Sequence, residues 1–585
     1  MSENIKKTLF INDIEVEFDN EKSILEVAKK AGIEIPTFCY RPDLTQFGAC
    51  RMCVVEIEKR GVQASCTMPP EVGLRVYTNT KKIRKIRKTI LELLLARHDR
   101  ECTMCSKSGS CELQKYAHEY GVTNIPFEKI TEEDLLPIDS SSYSIQRDMN
   151  KCILCGACVR ACHEFQGLGV LDFYNRGYRA KVQTMANKNM FDVDCVNCGQ
   201  CASVCPTGAL TVKSDIERAY DLLLDREVKT AIQFAPSVRV ALGEMFGLKA
   251  GENSVKKMYA AARKLGFDLV FDTNFSADLT IMEEANEFLQ RVQKNENLPI
   301  FTSCCPAWVR YMELKHPDML NHLSTAKSPQ GMMSATIKEF VPKFYEGVTN
   351  ENLKVISVMP CSAKKYEAKR EEIKGQTDVV LTTVEFAKMI QAEGIDFKNL
   401  KEEEANSPFG GYSGGATIFG ASGGVAEAAV RTAYNMITGK DLENLDILPL
   451  RGVDASSRSK EAILDIQGKK IKIRVVSTLI EAEKAIKEIK EGRADFQMLE
   501  VMACPGGCVN GAGQPISCKD SKIKEERMEG LYKEDKNLPV RNSHENPEII
   551  KLYKEFLETP GSKLAHHLLH TTYSDKRKGS YLDLK

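Results

Sequence analysis

Three things are missing from this sequence of 585 residues, and each absence excludes a class of function. The first is net charge: lysine plus arginine and aspartate plus glutamate number 81 each, so no overall field steers the molecule to nucleic acid or anionic lipid. The second is an uninterrupted apolar run of about 18 residues, which a membrane-spanning helix requires. The third is a secretory apolar stretch within residues 1–18, and we therefore expect a cytoplasmic protein.

Cysteine, in contrast, is abundant. The chain has 21 cysteines, and fifteen of them come before residue 206. In a reducing compartment this number predicts metal ligands rather than disulfides. Composition is otherwise that of a globular protein, with 43% apolar and 28% charged residues, and the length leaves room for three or four domains.

The first group of cysteines lies in a small β-rich segment. Apolar residues at 9–11 and the alternating residues 14–18 predict a hairpin, and a helix is predicted to begin near Ser23. Ten, two and twelve residues separate the four cysteines of this segment, which are Cys39, Cys50, Cys53 and Cys66. The layout resembles the [2Fe–2S] domains of hydrogenases and of NADH dehydrogenase large subunits, although the plant-type spacing is absent.

A second group follows a basic helix predicted over residues 81–97, whose charges either face water or dock a partner. The group consists of His98, Cys102, Cys105 and Cys111. One imidazole and three thiolates could hold structural zinc, but an electron-carrying [4Fe–4S] cluster agrees better with the neighbouring motifs. Residues 95–113, with Cys-Glu-Leu-Gln at 111–114, resemble the His-ligated [4Fe–4S] domain of the same two families.

Two copies of the motif C-x2-C-x2-C-x3-C come next. In this motif three thiolates bind one cubane and the fourth reaches the other, so two copies make a pair of [4Fe–4S] clusters. The first cluster is predicted on Cys152, Cys155, Cys158 and Cys205, and the second on Cys195, Cys198, Cys201 and Cys162. Zinc is disfavoured because zinc sites usually use separated C-x2-C pairs. His163 replaces the usual proline after the first copy, which alters the turn without removing a ligand.

After Ala209 apolar runs alternate with helical segments, which predicts an α/β domain with mostly parallel sheets. The predicted strands are 230–234, 269–271, 299–301, 354–359, 379–382 and 496–501. Ligands gather at the carboxyl ends of such strands. Three cysteine segments begin where three of these strands stop, so we expect them to converge on one pocket.

Four thiolates in those segments are enough for one more [4Fe–4S] cluster: Cys305, Cys361, Cys504 and Cys508. The segments read TSCCPAW from 302, MPCSAKK from 359 and EVMACPGGC from 500. In these motifs, and in the four upstream groups, the chain closely resembles the [FeFe]-hydrogenase family. The resemblance runs from about Leu9 to about His570.

The resemblance implies a six-iron H-cluster, in which the cube is joined through the Cys508 sulfur to a diiron unit with CO, cyanide and a bridging azadithiolate. Polar or small residues expected around the diiron ligands are Pro236, Ser237, Gln330 and Lys364. Residues expected on its apolar side are Met359, Met502 and Phe419. For the two methionines, simple core packing is the alternative.

The resemblance also implies a proton route. Its members, in order from the cofactor, are Cys304, Glu284, Ser324, Glu287 and Arg291. Two glutamates three apart on a predicted helix 280–291 share a face, and without the family resemblance they would more often be a solvated face. The implied reaction is reversible heterolysis of H2, in an enzyme that oxygen inactivates and that belongs to anaerobic metabolism.

The expected fold is multidomain, α+β followed by α/β. We expect a β-grasp [2Fe–2S] domain at 1–80, a His/Cys3 [4Fe–4S] domain at 81–143, a two-[4Fe–4S] ferredoxin domain at 144–212, and a large H-cluster domain with parallel sheets at 213–585. A glycine-rich stretch at 410–424 has no preceding strand, so it fails as a dinucleotide loop and is expected to approach the cofactor. Cys518 has no predicted role other than a buried thiol.

Two catalytic hypotheses remain open. In the first, the chain is the hydrogen-reacting subunit of a flavin-based bifurcating complex that couples H2 to NAD and ferredoxin, with FMN and NAD on partner subunits and a further small [2Fe–2S] subunit. Residues 47–53, 111–114 and 568–573 look more like that group. In the second, it is a stand-alone hydrogenase that exchanges electrons with ferredoxin. A hydrogen sensor or an electron-carrying or assembly protein is the remote, non-catalytic alternative.

Overall fold

The computed structural model describes residues 6–131, 133, 135–452, 458–466, 468–516 and 520–577. Cys518 lies outside these residues. The chain divides into two compact units. The first contains residues 1–164, 168–193 and 201–211, and the second contains 165–167, 194–200 and 212–585.

The chain up to residue 212 forms short strands and five helices within the described residues. The strands are β1 (Thr8–Ile11), β2 (Ile14–Glu17), β3 (Val54–Ile57), β4 (Gly61–Ala64), β5 (Arg75–Tyr77), β6 (Ile145–Arg147), β7 (Leu171–Tyr174), β8 (Lys181–Thr184) and β9 (Leu210–Val212). The helices are α1 (Ile24–Lys30), α2 (Lys81–Ala96), α3 (Glu112–Glu119), α4 (Ala157–Glu164) and α5 (Gln200–Ser203).

Five of these strands form one sheet in the order β2-β1-β5-β3-β4. The predicted hairpin is confirmed, since β1 pairs antiparallel with β2. The predicted helix start is confirmed too, because Ser23 precedes α1 and its Oγ accepts a hydrogen bond from Glu26 N at 3.3 Å. Such a side-chain cap satisfies a backbone donor that the first helical turn leaves free.

The chain from residue 213 onward forms the larger set. Its strands are β10 (Lys229–Phe234), β11 (Leu269–Asp272), β12 (Ile300–Phe301), β13 (Leu353–Met359), β14 (Val379–Thr382), β15 (Ser459–Ile466), β16 (Lys469–Ser477) and β17 (Met498–Met502). Its helices are α6 (Ile216–Leu224), α7 (Val255–Lys264), α8 (Thr273–Lys294), α9 (Pro306–Lys315), α10 (Pro329–Phe344), α11 (Ala363–Glu367), α12 (Thr383–Ala392), α13 (Gly414–Thr417), α14 (Gly424–Thr438), α15 (Leu479–Lys490), α16 (Ser521–Asn537), α17 (Pro547–Leu552) and α18 (Lys563–Leu569).

Two four-stranded sheets organise the second unit. The first has the order β11-β10-β13-β14 and is parallel throughout. The second has the order β12-β17-β16-β15, and only its edge strand β15 runs antiparallel. All six strands expected from the apolar runs are present, and the mostly parallel arrangement is confirmed. The β15–β16 hairpin was not expected, because charged residues interrupt its apolar pattern.

Helix α8 packs in the cores of both sheets. Phe275 and Leu279 contribute to the core around the first sheet, and Ala277 and Ile281 to the core around the second. The helix is longer than the predicted 280–291, and it is buried over most of its amino-terminal half, including its acidic residues. Among the described residues, none of the helices combines the length and the apolar character that a membrane crossing requires.

Candidate active site

Four thiols meet at one cavity at the carboxyl ends of three strands. Cys305 follows β12, Cys361 follows β13, and Cys504 and Cys508 follow β17. All four line a cavity of about 70 Å³. The predicted convergence is therefore observed. Parallel strands deliver their carboxyl ends to the same edge of a sheet, which brings Cys305, Cys504 and Cys508 together at the second sheet, and Cys361 comes to the cavity from β13 of the first sheet.

The chemistry of these donors fits an iron–sulfur cluster. Burial raises the pKa of each of the four thiols above its ordinary value. For Cys361, Cys504 and Cys508 the charge of neighbouring sulfurs raises it further. Crowded, buried thiolates need a cationic centre to compensate them, and soft sulfur donors select iron–sulfur clusters among the common metal sites.

Glycines allow the loops around the cavity to approach one another. A Cβ on Gly507 would lie 2.6 Å from Ser422 N, and one on Gly511 would lie 2.1 Å from Pro360 O. Ser422 belongs to the glycine-rich stretch 410–424, and Phe419 and Gly420 of the same stretch line the cavity. The expectation that this stretch approaches the cofactor site, rather than forming a nucleotide loop, agrees with this placement.

The seven residues expected around the diiron unit all line the cavity: Pro236, Ser237, Gln330, Met359, Lys364, Phe419 and Met502. Lys364 is buried, and its Nζ donates to Ser328 Oγ and Glu367 Oε2, both at 2.8 Å, and to Cys304 O at 3.2 Å. Burial alone would lower the pKa of Lys364, but the charge of Glu367 raises it overall. The ammonium group is therefore a fixed positive charge at the cavity wall.

The five residues of the expected proton route lie in one series. Burial and the charge of Glu284 raise the pKa of the Cys304 thiol. Ser324 is within hydrogen-bonding range of Glu284, and its Oγ donates to Glu287 Oε2 at 2.9 Å. Arg291 donates to Glu287 Oε1 at 2.6 Å. A protonated Glu284 can thus donate to Ser324, whose own proton already points to Glu287.

Glu284 gives a test of this arrangement that needs no turnover. Burial, and then the charge of Glu287, raises the pKa of Glu284 from 4.5 to about 8. Its contribution to the free energy of unfolding is fully present below about pH 4.5 and is lost as pH rises through about 8. We expect the stability of the wild type to fall relative to Glu284→Gln across this window, measured by calorimetry at pH 5 and pH 8.5.

Glu339→Gln, an exposed substitution on α10, controls for the loss of a carboxyl group. Parallel stability curves for the wild type and Glu284→Gln would show that Glu284 does not hold a proton in the folded state.

Two site residues were not assigned a role from the sequence, although Gln200 lies inside the second C-x2-C-x2-C-x3-C copy and Glu500 is the first residue of the segment EVMACPGGC. Gln200 donates from Nε2 to Cys504 Sγ at 3.2 Å. Glu500 is buried on β17, and its carboxylate accepts from Gly423 N at 2.7 Å and Ala426 N at 2.8 Å at the start of α14. Burial raises the pKa of Glu500 to about 7. Glu500 could have been noticed in the sequence because it is an acidic residue inside the apolar strand that precedes Cys504.

In the first unit, the four cysteines of the β-rich segment come together and are all buried. The Cys39 thiol is within hydrogen-bonding range of those of Cys50 and Cys66, and Cys53 is within range of Cys66. Phe38 N donates to Cys50 Sγ at 3.4 Å. Backbone N–H groups directed at sulfur are a feature of iron–sulfur sites, where they tune the cluster potential.

His98 is also suited to ligation. Its side chain is buried, and Nδ1 has no hydrogen-bond partner among the described residues. Burial lowers the pKa of His98 to about 4, so the imidazole is neutral, as a metal ligand must be. Of its three expected co-ligands, Cys102 is exposed and Cys105 and Cys111 are half-buried.

The first ferredoxin-like site forms a small cavity of its own. Cys152, Cys155, Cys158 and Cys205 line it together. Leu154 N donates to Cys152 Sγ at 3.4 Å. Two cysteines predicted to bind the second cluster also accept backbone hydrogen bonds. Val170 N donates to Cys162 Sγ at 3.3 Å, and Asn197 N donates to Cys195 Sγ at 3.4 Å.

Family models match the chain in five consecutive regions. Residues 228–512 match the iron only hydrogenase large subunit, C-terminal domain, and 521–576 match the iron hydrogenase small subunit. Residues 6–81 match a 2Fe-2S iron-sulfur cluster binding domain, 87–126 the NADH-ubiquinone oxidoreductase-G iron-sulfur binding region, and 151–209 a 4Fe-4S dicluster domain. These descriptions favour iron–sulfur clusters over zinc at every accessory site.

Whole relatives agree with the regional matches. NADP-reducing hydrogenase subunit HndD of Solidesulfovibrio fructosivorans is 44% identical over 95% of this chain and 97% of its own length. Iron hydrogenase 1 of Clostridium pasteurianum is 37% identical over 97% of this chain and 100% of its own length. The solved structure of apo [FeFe]-hydrogenase HydA1 from Chlamydomonas reinhardtii covers 63% of this chain and 100% of that chain, with 36% identity and a TM-score of 0.56.

Proposed function

This chain belongs to the iron-only, or [FeFe], hydrogenase family, and from that premise we propose that it is the hydrogen-reacting subunit of a flavin-based bifurcating complex. It catalyses reversible H2 oxidation and proton reduction, with electrons passing through accessory iron–sulfur clusters. The catalytic assignment depends mainly on one observation. Four thiols and Cys304 surround a single buried cavity at the edge of two sheets.

The residues of the cavity have distinct tasks. Cys305, Cys361, Cys504 and Cys508 would hold the H-cluster, which supplies the redox chemistry of H2 cleavage when bound. Met359, Phe419 and Met502 exclude water from its apolar side. Pro236, Ser237, Gln330 and Lys364 orient and hydrogen-bond its polar ligands.

Protons move between the cavity and the surface along Cys304, Glu284, Ser324, Glu287 and Arg291. The thiol of Cys304 accepts or donates at Sγ, and Glu284 holds a proton in its buried carboxyl group. When Ser324 accepts that proton, its own hydroxyl proton passes along the existing hydrogen bond to Glu287. Arg291 orients the Glu287 carboxylate.

Four domains follow one another along the chain: the first three carry electrons and the fourth carries out catalysis. A β-grasp domain at 1–80 holds one [2Fe–2S] cluster, the segment 81–143 a His-ligated [4Fe–4S] cluster, and 144–212 two [4Fe–4S] clusters. Residues 213–585 hold the H-cluster. The ligands of each accessory cluster are those that the cysteine motifs predict.

Similarity to relatives supports the bifurcating complex over a stand-alone enzyme. HndD is named a subunit of an NADP-reducing hydrogenase, and its match covers 95% of this chain. Residues 87–126 match a region named for NADH-ubiquinone oxidoreductase. FMN and NAD would then sit on partner subunits, with ferredoxin as the second electron carrier and a small [2Fe–2S] subunit completing the assembly.

Purification of the native assembly tests this proposal. We expect H2 to reduce NAD or NADP only when oxidised ferredoxin is also present, because the two reductions are coupled. Absorbance of the nicotinamide and of ferredoxin, followed together, measures both electron flows. Nicotinamide reduction without ferredoxin would contradict bifurcation, and H2-dependent ferredoxin reduction by the chain alone at full rate would favour the stand-alone enzyme.

A further inference from the structure

The segment near the carboxyl terminus, residues 568–573, runs beside the loop 324–327, which carries Ser324. We call the first the strap and the second the route loop. Ala326 of the route loop forms an antiparallel bridge with His570 of the strap. Their other hydrogen bonds include Lys327 N to Leu569 O at 2.8 Å, Lys327 Nζ to Leu568 O at 2.7 Å, Thr571 N to Thr325 O at 2.8 Å, and Tyr573 Oη to Ser324 O at 2.7 Å.

His570 bonds at both of its ring nitrogens. Nε2 lies 3.0 Å from Glu283 Oε2, and Nδ1 lies 2.7 Å from Thr325 Oγ1. Both side chains of the His570–Glu283 pair are buried. Glu283 offers an acceptor, so Nε2–H donates to it, and Nδ1 shares the second hydrogen bond with the Thr325 hydroxyl.

Thr325 in turn contacts the proposed proton route. Its backbone N–H is directed at the Glu287 carboxylate, at 3.0 Å from Oε2 and 3.3 Å from Oε1. The neighbouring Ser324 Oγ donates to the same Oε2 at 2.9 Å. Any displacement of Thr325 therefore changes the distance across which Ser324 and Glu287 exchange a proton.

We propose that His570 is a positioning residue for proton transfer, which fixes the route loop through Thr325 so that Glu287 stays in line with Ser324. The proposal rests on the hydrogenase function and on the proton route given above. It also gives a task to the strap, which lies within the region 521–576 that matches the iron hydrogenase small subunit. Glu283 acts as the anchor that holds the imidazole ring in place.

Two conservative variants remove the hydrogen bond between Nδ1 and Thr325, each from one of its two ends. In His570→Gln the amide can still donate to Glu283 but offers nothing in place of Nδ1. In Thr325→Val only the hydroxyl is lost, and the backbone N–H that faces Glu287 remains. Each variant should lower kcat about fivefold to tenfold, the effect of one lost hydrogen bond, with KM for H2 unchanged.

The measurement that identifies positioning is the solvent deuterium isotope effect on kcat, which should increase in both variants because proton transfer becomes slower. The double variant should be no slower than the slower single variant, since both remove the same bond. Infrared bands of bound CO and cyanide should be unchanged. His567→Gln, at an exposed position of α18 just before the strap, is the matched control and should behave as the wild type.

A second readout does not depend on turnover. Hydrogen–deuterium exchange of the route-loop amides should be faster in His570→Gln and Thr325→Val than in His567→Gln. Unchanged exchange, or a lower kcat with an unchanged isotope effect, would overturn the proposal. A wild type that loads its cofactor but does not react with H2 would instead overturn the hydrogenase function, while the exchange comparison would still decide whether the strap holds the loop.

Discussion

Cys304→Ala is expected to load its full cofactor and yet lose turnover by about 10²- to 10⁴-fold, the range that a positioned acid–base group contributes. The Cys304 thiol lines the cavity. Burial, and then the charge of Glu284, raises the pKa of this thiol, so Cys304 is placed to pass protons between the cavity and Glu284. Alanine removes that group without adding volume. Infrared bands of CO and cyanide measure loading, and H2 evolution with a small artificial donor measures turnover.

Cys304→Ser separates the loss of acidity from the loss of a hydrogen-bonding group. Serine keeps a hydroxyl at the same position, but it gives up a proton far less readily than a thiol, whose ordinary pKa is about 8.5. We expect this variant to be impaired as well. Wild-type turnover in Cys304→Ala, together with intact infrared bands, would remove Cys304 from the proton route.

The candidate site could be located from the sequence because its ligands are cysteines in short motifs at strand ends. Cys305, Cys361 and Cys504 each follow an apolar run that a buried parallel strand requires. The family resemblance then supplied roles for seven further cavity residues, and the structure places all seven at the cavity. Their roles stay predictions until variants are measured.

Gln200, Glu500 and His570 could not be identified in the same way. Each acts through a partner far away in sequence, as Gln200 does with Cys504 and His570 with Glu283. A single polar residue has no periodicity and no spacing, so its meaning depends on burial that only the fold reveals. Glu500 came closest to being visible, as an acid in an otherwise apolar strand.

Within the second unit, strand prediction succeeded where both faces of a strand are buried and failed where one face is charged. The runs that became β13 and β14 are nearly continuous apolar segments. In β15 and β16, lysines and acids alternate with apolar residues, and the hairpin was missed. The length of α8 was underestimated because its packing against two sheets buries polar residues, which weakens the one-sided pattern of an ordinary surface helix.

Cys508→Ala is expected to abolish hydrogenase activity by a different route, through loss of the diiron part of the cofactor. The Cys508 thiol faces the cavity beside Met502, with 3.9 Å between the two sulfur atoms, and it is the ligand that would join both halves of the H-cluster. Three thiols remain for the cube, so iron content should fall only in part. Infrared bands of CO and cyanide should be absent, and no H2 should be evolved.

The two alanine variants control for each other. Both remove a thiol from the same cavity, but Cys304→Ala should keep the infrared bands and lose turnover, whereas Cys508→Ala should lose both. A Cys508→Ala protein with bands of full intensity would mean that another residue holds the diiron unit. The infrared bands depend on whether the cofactor is retained and not on proton transfer. Comparing the two variants therefore distinguishes loss of the cofactor from loss of proton delivery, and each assignment can be refuted without the other.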